Sequence, residues 1–201
     1  MKEERKSMLI VVSGPSGAGK GTICKMLLDG DETMRFSVSA TTRAPREGEI
    51  DGVHYFFLTE EKYDQLLEED AFLEHATVHG HRYGTLKSQV QKMLDQGFHV
   101  VLDIDPQGAR EVMRQKPDCV SIFILPPSYA ELRNRLHTRN TDDPVEIERR
   151  LHNAHGEIRQ LQMYQYAVVN VNGDPTVAYD QVKTIIAAEK QRTTRYFPVV
   201  E

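Results

Sequence analysis

A glycine-rich segment near the N-terminus carries the clearest chemical signal in this sequence of 201 residues. It runs from Gly14 to Lys20, after a predicted β-branched strand and before a predicted helix. Glycines let the backbone turn tightly and direct N–H groups inward, where they bind phosphate oxygens, and the helix N-terminus and Lys20 add positive charge. The segment predicts a nucleoside triphosphate site formed by Gly14, Pro15, Ser16, Gly17, Ala18, Gly19, Lys20, Gly21 and Thr22.

The position after the lysine departs from the usual motif. A serine or threonine normally stands there and approaches Mg²⁺, but this chain has Gly21, and Thr22 follows one residue later. We therefore expect Thr22 to face the metal, directly or through water. Ser16 is a further candidate to contribute a hydroxyl.

A second segment suits a smaller phosphate group. Arg43 and Arg46 lie three residues apart, and Pro45 stiffens the chain between them. Guanidinium groups bind a phosphate monoester through paired hydrogen bonds, and Ser39 and Tyr55 can add neutral donors. The alternative is a solvated turn that carries two ordinary surface arginines.

Three carboxylates lie in apolar stretches of the sequence. Glu74 follows Phe-Leu, and Asp103 and Asp105 come where a buried-type strand ends, which is the edge at which open α/β sheets bind ligands. Two carboxylates that accept from a ring N–H and an exocyclic amine would select guanine, whereas adenine would leave a buried charge unpaired. The alternatives are a partly buried acid for Glu74, and a Mg²⁺-sphere ligand or a helix cap for the two aspartates.

Arginines also gather in the second half of the chain. Between residues 130 and 160 there are six arginines and no lysine, although a solvated helix normally carries both cations. Recognition of phosphate explains this bias better than a charged helix face with pairs such as Glu146 and Arg150. The six are Arg133, Arg135, Arg139, Arg149, Arg150 and Arg159.

Strands and helices alternate along the chain and must position these residues. Buried-type strands are predicted at 8–13, 99–104, 121–125 and 167–171, and helices at 22–28, 108–115, 129–137 and 177–190. This order predicts an α/β fold in which helices cover both faces of a parallel sheet.

Two segments interrupt the alternation of strands and helices. Residues 35–83, with strands at 36–40, 54–58 and 72–78 around a helix at 60–69, predict a small mixed α/β insertion, and residues 129–163 predict a mobile helical flap.

Composition excludes several classes of protein. The net charge of −5 argues against a nucleic-acid partner, and the longest apolar run, Met8 to Val12, is too short to span a membrane. No signal peptide is apparent, and Cys24 and Cys119 are expected to be buried free thiols. These features predict a cytoplasmic protein.

Together these motifs resemble those of the guanylate kinases (ATP:GMP phosphotransferases), a family of P-loop nucleoside monophosphate kinases. The resemblance covers residues 8 to about 190, and it is most specific in Ser-Val-Ser-x-Thr-Thr-Arg-x-Pro-Arg, which begins at Ser37. Further matches are Gly52–Phe57, Tyr83–Thr85 and Leu102–Gly108. The resemblance implies a three-layer P-loop fold with a core of 1–34, 84–128 and 164–191, a GMP-binding region at 35–83, a helical lid at 129–163 and a tail at 192–201.

The resemblance also implies roles for single residues. The phosphate of GMP would be held by Ser39, Arg43, Arg46, Tyr55 and Tyr83, and its guanine would be recognised by Glu74, Thr85 and Asp103. Arg135, Arg139 and Arg150 would reach the ATP phosphates, and Asn172 would lie near the adenine. The catalytic residues would be Lys20, Arg43 and the three lid arginines. Mg²⁺ would bind together with ATP near Thr22, and Asp103 or Asp105 would lie in its outer coordination sphere.

Two departures from the family pattern leave details open. Asn140 stands where the lid turn usually has glycine, and Gln165 stands where aspartate is usual. Two other functions also stay open: a non-catalytic protein-interaction module, which the intact Lys20 disfavours, and a kinase with a different acceptor. The oligomeric state is open as well, including a homodimer or a higher homo-oligomer.

Overall fold

Eleven strands and seven α-helices make up the parts of the chain that the computed structural model describes, which are residues 4–78, 80–138, 144–171 and 174–197. The strands are β1 (Glu4–Arg5), β2 (Leu9–Ser13), β3 (Met34–Phe36), β4 (Ala40–Thr41), β5 (Phe56–Phe57), β6 (Phe72–Val78), β7 (His81–Leu86), β8 (His99–Asp103), β9 (Val120–Leu125), β10 (Tyr166–Val169) and β11 (Tyr196–Phe197). The helices are α1 (Lys20–Gly30), α2 (Glu60–Glu68), α3 (Lys87–Asp95), α4 (Pro106–Gln115), α5 (Tyr129–Thr138), α6 (Pro144–Ile158) and α7 (Pro175–Lys190), and short 3₁₀ helices span Arg159–Met163 and Thr193–Arg195.

A parallel sheet of five strands, in the order β10-β9-β2-β8-β3, forms the core. Strand β2 is fully buried because both of its faces are covered. Ile10 and Val12 pack with α1 and α7, whereas Leu9 and Val11 pack with α3 and α4. This arrangement confirms the predicted three-layer α/β fold, and it explains why β2 has a continuous apolar sequence without alternation.

The single strand predicted at 36–40 is wrong, because the structure has two strands there. β3 pairs with β8 in the main sheet, and the Ser37 N–H extends this pairing by donating to Val101 O at 3.1 Å. The chain then crosses to a second sheet, where β4 begins at Ala40. Residue patterns report which segments are extended, but the partner of an edge strand depends on contacts distant in sequence.

The second sheet is mixed, with the order β5-β4-β7-β6. Strand β4 runs antiparallel to β7 and parallel to β5. Helix α2 packs on this sheet through Tyr63, whose ring stacks on Phe72 at 4.7 Å and whose hydroxyl donates to Tyr83 O at 2.7 Å. β5 is shorter than the predicted strand at 54–58 because Gly52 and Tyr55 close a turn, in which Gly52 has a φ of +74°.

Helices α5 and α6 form a separate helical unit beside the main sheet. Their facing side chains build a small core from Leu132, Leu136, Ile147, Leu151 and Ala154. The segment that joins them, including Arg139 and Asn140, lies outside the described residues.

The C-terminal segment packs on the body of the protein. The Arg195 side chain is 6% exposed and donates to Asp118 O at 2.9 Å and to Glu189 Oε2 at 3.1 Å. Tyr166 OH also donates to Glu189, at 2.5 Å. β11 pairs with β1, which joins the two ends of the described chain.

Two expectations from composition concern burial and membranes. Cys24 and Cys119 are buried free thiols, as predicted. Within the ranges that the structure describes, no helix has the length and apolar character needed to cross a membrane.

Candidate functional site

The loop between β2 and α1 has the backbone shape of a phosphate-binding loop. Gly14, Gly17 and Gly19 have φ values of +138°, +89° and +94°, a region that favours glycine. Packing imposes the same choice, because a Cβ at Gly14 would collide with Ile124 O, and one at Gly19 would collide with Asn170 Nδ2. The loop therefore fits tightly between β9, β10 and the N-terminus of α1.

Lys20 begins α1 and its side chain folds back over the loop. Its Nζ donates to Gly14 O at 2.6 Å and to Pro15 O at 3.2 Å. These two bonds hold a positive charge at the open side of the loop, beside the helix N-terminus, which itself favours anions.

Asp103, at the end of β8, lies next to the same loop. A Cβ at Gly21 would be 3.7 Å from Asp103 Oδ2, so the carboxylate faces the position where the usual motif has a hydroxyl. Burial raises the pKa of Asp103, and the nearby charge of Lys20 opposes that rise. Thr22 is exposed and lines a different cleft.

That cleft, of about 650 Å³, lies between the loop, α5 and the start of α7. Arg135 forms one wall, and its guanidinium donates to Ala18 O at 3.3 Å, Asn170 O at 3.0 Å and Glu131 Oε1 at 3.0 Å. The predicted cation is thus next to the loop, held by backbone carbonyls and one carboxylate.

Asn170 is a site residue that the sequence interpretation missed. It directly follows β10, is 6% exposed, and donates from Nδ2 to Ala18 O at 2.8 Å. Asn172, which was predicted instead, lies outside the described residues. The available signal was a polar residue, Asn170, inside the apolar run predicted as a strand at 167–171; the structure ends β10 at Val169, which places Asn170 at the carboxyl edge where ligands bind.

Gln165 lies directly before β10, at the opposite end of that strand from Asn170. Its Oε1 accepts from the Ser121 N–H at 2.9 Å, and its own N–H donates to Ser121 Oγ at 3.1 Å. Because an amide oxygen accepts a hydrogen bond as a carboxylate does, glutamine here can tie β10 to β9 without a charge.

Glu157, on α6, brings a carboxylate to the phosphate-binding loop. Burial raises the pKa of Glu157, while Lys20 and the Ser16 N–H lower it. Nothing in the sequence distinguishes Glu157 from the other charged residues of α6, so this approach depends on the folded arrangement of the helical unit.

The two arginines of the second segment share one carboxylate partner. Arg43 Nη2 donates to Glu49 Oε1 at 2.8 Å, and the Arg46 N–H donates to Glu49 Oε2 at 2.7 Å. The hydrogen bond from Arg43 is the main cause that lowers the pKa of Glu49 to about 2. The sequence interpretation missed Glu49, although its spacing after the arginines was visible.

Aromatic side chains surround Arg43. Its guanidinium carbon lies 5.4 Å from the centroid of the Tyr55 ring and 5.8 Å from that of Phe57. The Tyr55 and Tyr83 rings meet edge to face at 5.9 Å. Ser39 accepts the Phe56 N–H through its backbone oxygen at 2.9 Å, so the structure brings Ser39, Arg43, Tyr55 and Tyr83 to one end of the mixed sheet.

A buried carboxyl group on β6 is hydrogen-bonded to a hydroxyl group on β7. Thr85 Oγ1 donates to Glu74 Oε1 at 2.6 Å, and the Glu74 residue is 7% exposed. The pKa of Glu74 is raised to about 7, mainly by burial; the Thr85 hydrogen bond opposes this rise, and the charges of Asp105 and Glu111 add to it. This carboxyl group therefore changes its charge near neutral pH.

The structure assigns Asp105 a capping contact. Its Oδ1 accepts the Gly108 N–H at 2.8 Å, and Pro106 follows in the first turn of α4. This is the helix cap that was one of the two alternatives for the aspartates.

Of the two other predicted lid arginines, Arg150 pairs with a carboxylate on its own helix, and Arg139 is not among the described residues. Arg150 Nε donates to Glu146 Oε1 at 3.2 Å, which is the i,i+4 pair weighed as an alternative.

Comparison with known proteins gives one consistent result. The profile of the guanylate kinase family matches residues 6–189. The guanylate kinase of Clostridium perfringens strain ATCC 13124 is 51% identical over 193 residues, which cover 96% of this chain and 88% of that protein. The guanylate kinase of Caldanaerobacter subterraneus subsp. tengcongensis is 49% identical, with coverage of 97% and 94%. The crystal structure of guanylate kinase from Anaplasma phagocytophilum is similar with a TM-score of 0.76 and 33% identity, and the match covers 98% of this chain and 93% of that one.

Proposed function

The chain belongs to the guanylate kinase family of ATP-dependent phosphotransferases, and we propose that it transfers the γ-phosphoryl group of ATP to GMP, giving ADP and GDP. The observation that carries the choice of acceptor is the buried Glu74–Thr85 pair, which lies on the same mixed sheet as Tyr83, a neighbour of Arg43 and Tyr55.

Guanine is the base that suits this pair. The ionised Glu74 carboxylate accepts hydrogen bonds, and guanine offers both a ring N–H and an exocyclic amine, whereas N1 of adenine is itself an acceptor. A buried carboxylate opposite an acceptor would be left unpaired, which costs about 1–3 kcal/mol or more. We propose that Glu74 and Thr85 recognise guanine, while Asp103 stays a prediction for guanine because its carboxylate faces Gly21 of the phosphate-binding loop.

Positive charge at the end of the mixed sheet suits the phosphate of GMP. We propose that Arg43 and Arg46 bind this phosphate with Ser39, Tyr55 and Tyr83. Glu49 would hold Arg43 and the loop around Arg46 in place, since it already contacts both. The segment 35–83 would then act as the GMP-binding region.

ATP would bind across the loop 14–20 and the cleft beside Arg135. Lys20 and the loop N–H groups suit the phosphates, and Asn170 and Arg135 border the cleft that would take the nucleoside. Residues 129–163 would act as the lid, from which Arg135, Arg139 and Arg150 supply charge to the phosphates. Asn172 stays a prediction for the adenine side.

Mg²⁺ would accompany ATP and neutralise charge on its phosphates. Among the described residues, no group of three or more His, Cys, Asp or Glu is arranged to hold a metal, so substrate oxygens and water would supply most ligands. Asp103, whose oxygen faces Gly21, is an oxygen donor of the type that Mg²⁺ prefers. Thr22 lines the cleft beside Arg135 instead and stays a prediction for the metal. We favour Asp103 over Asp105, because Asp105 already caps α4.

The reaction requires positioning more than proton transfer. The acceptor is a phosphate that is already ionised at pH 7, so no strong general base is needed. Two anionic substrates repel each other, and cations from the loop, the mixed sheet and the lid would offset that repulsion. Closure of the lid and the GMP-binding region would exclude water and prevent hydrolysis of ATP.

The remaining proposals concern partners and location. We propose a reducing compartment such as the cytoplasm, because the two buried cysteines are free thiols. The acidic net charge disfavours nucleic acid as a partner. Light scattering would determine whether the chain forms a homodimer or a higher homo-oligomer.

A coupled assay of ADP release tests the proposed acceptor. The purified chain is given ATP, Mg²⁺ and, in separate reactions, GMP, AMP, CMP and UMP. We expect rapid turnover with GMP and not with the other three monophosphates. In the variant Lys20→Ala, we expect kcat to be lower by about two orders of magnitude or more, because a charge aimed at the transferred group is lost. Turnover with AMP but not with GMP would refute the assignment, and absence of turnover with every monophosphate would favour an interaction module.

A further inference from the structure

We propose that Gly108 is a positioning residue for GMP specificity: the absence of a side chain there provides the space in which the Glu74 carboxylate stands. This inference rests on the proposed function, in which Glu74 recognises guanine. It concerns a residue in the first turn of α4, on a different element from Glu74.

Gly108 is not needed for its backbone conformation. It lies within α4, is buried, and is absent from the glycines with positive φ in the described chain. A glycine inside a helix destabilises it by about 0.5–1 kcal/mol relative to alanine. A glycine here therefore needs another explanation, and packing supplies one.

The packing limit comes from Glu74. A Cβ added at Gly108 would lie 2.9 Å from Glu74 Oε2 and 3.3 Å from its Cδ and Cγ, and real Cβ contacts shorter than 3.0 Å are essentially never observed. The carboxyl group of Glu74 therefore fits against the bare backbone of α4.

Of the two partners, the Glu74 carboxyl group is the one that must shift, because it is the end of a flexible side chain and Gly108 is helix backbone. Glu74 Oε1 is held by Thr85 on the neighbouring strand, and the Glu74 residue is 7% exposed. On the other side, the Gly108 N–H donates to the cap residue Asp105, and the next residue of α4, Ala109, is fully buried in the main core. A methyl group at position 108 must therefore move the carboxyl group from the place set by Thr85.

Displacement of this carboxyl group has a specific consequence. Guanine presents two donors side by side, so both oxygens must be in place to accept them. A hydrogen bond to a charged group is worth enough that its loss raises KM for GMP about 10- to 100-fold. The proposed ATP site, at the loop 14–20 and the cleft beside Arg135, does not include Glu74 or Gly108, so KM for ATP should change little.

Steady-state kinetics of Gly108→Ala test this inference. We expect KM for GMP to rise about 10- to 100-fold, with KM for ATP within about twofold of the unmodified chain. The preference for GMP over inosine 5′-monophosphate, which lacks the exocyclic amine, should also fall. The matched control is Arg114→Ala, since Arg114 lies in the last turn of the same helix α4 and its side chain is exposed. This control should leave KM for GMP unchanged.

A double-mutant cycle separates this role from a general effect on α4. In the background Glu74→Ala, the methyl group has space, so the added change Gly108→Ala should not raise KM for GMP further. If Gly108→Ala alone does not fold, the cycle is read by thermal melting: a folded double variant as stable as Glu74→Ala supports the inference, and an unfolded one overturns it.

Two kinetic results would overturn the inference while leaving the proposed function intact. One is an unchanged KM for GMP in Gly108→Ala, and the other is an equal rise with and without Glu74. If the unmodified chain itself phosphorylates no GMP, the proposed function fails, and this inference fails with it.

Discussion

Thr85 and Glu74 face each other across two antiparallel strands, and the hydroxyl of Thr85 donates to Glu74 Oε1 at 2.6 Å. This contact orients a carboxyl group that burial would otherwise leave as a costly isolated charge. It also leaves the second oxygen, Oε2, beside the bare backbone of Gly108. The orientation of one acid therefore depends on β7 and α4 together.

The first prediction concerns the pH dependence of GMP binding. Burial raises the pKa of Glu74 to about 7 in the free protein, and only its ionised form accepts both donors of guanine. KM for GMP should therefore be constant well above pH 7 and rise about fourfold between pH 8.5 and pH 6.5. This window stays above the second pKa of a phosphate monoester, which is about 6.

The control for this pH dependence is Glu74→Gln. The variant should have a higher KM for GMP at every pH, and the step between pH 8.5 and pH 6.5 should disappear, since the amide does not titrate. A pH step of the same size in Glu74→Gln would show that another group is responsible.

The second prediction concerns Asn170 and ATP. The change Asn170→Ala removes the hydrogen bond from Nδ2 to Ala18 O and leaves a loop carbonyl without that donor. Such a loss costs about 1–3 kcal/mol, so KM for ATP should rise about 5- to 100-fold, with a much smaller effect on KM for GMP. Asn134→Ala is the control, because Asn134 lines the same cleft with an exposed side chain. Equal effects of the two changes would argue against the positioning role of Asn170.

The third prediction concerns stability at the C-terminal segment. Arg195 and Glu189 form a buried ion pair, and removal of one partner from such a pair costs about 3–5 kcal/mol. Arg195→Met should lower Tm by several degrees and leave both KM values unchanged. Arg192→Ala, which removes a half-exposed partner of the same Glu189, should have a small effect of less than about 1 kcal/mol. An Arg195→Met variant as stable as the unmodified chain would mean that the segment packs without this ion pair.

The fourth prediction concerns acid stability. His99 accepts the Met8 N–H through Nδ1 at 3.0 Å. Burial is the main cause that lowers the pKa of His99 to about 4; the charges of Lys190 and Arg195 lower it as well, and the charge of Asp31 raises it. The unfolded chain binds this proton near pH 6.5, so the contribution of His99 to stability is complete above pH 6.5. It falls by about 1.4 kcal/mol per pH unit as the pH decreases toward 4.

Chemical denaturation at several pH values tests this contribution. His99→Gln keeps an acceptor for the Met8 N–H but does not titrate. Its free energy of unfolding should therefore depend less on pH between 6.5 and 4 than that of the unmodified chain. Parallel curves for the two proteins would contradict the prediction.

The features that were predictable from the sequence are local ones. The strand Leu9–Ser13, the glycine loop and Lys20 are consecutive, so their residue types alone determine a strand, a tight turn and a helix N-terminus. The same holds for Asp105, which caps α4, a role that the sequence left as one of two alternatives. Arg43, Tyr55 and Tyr83 were predicted to act together through family resemblance, and the structure brings them together.

What could not be predicted depends on contacts between distant segments. The pairing of β3 with β8 joins residues more than sixty positions apart, and no residue pattern identifies that partner. Asn170 was missed because its partner, Ala18, is 152 residues away. Glu157 was missed because only the position of the helical unit brings it near Ser16 and Lys20. Asn170 and Glu157 are of residue types that occur throughout the sequence, so only their positions in the folded chain bring them to the site.

The most direct test of the central claim follows the phosphoryl group itself. ATP labelled at its γ-phosphate is incubated with the chain, Mg²⁺ and GMP, and the labelled products are separated by chromatography. The account predicts that the label appears in the β-phosphate of GDP, with little in inorganic phosphate, and that transfer falls sharply in Lys20→Ala and at low GMP in Glu74→Gln. Label that appears only in inorganic phosphate, or that passes to AMP as readily as to GMP, would contradict it.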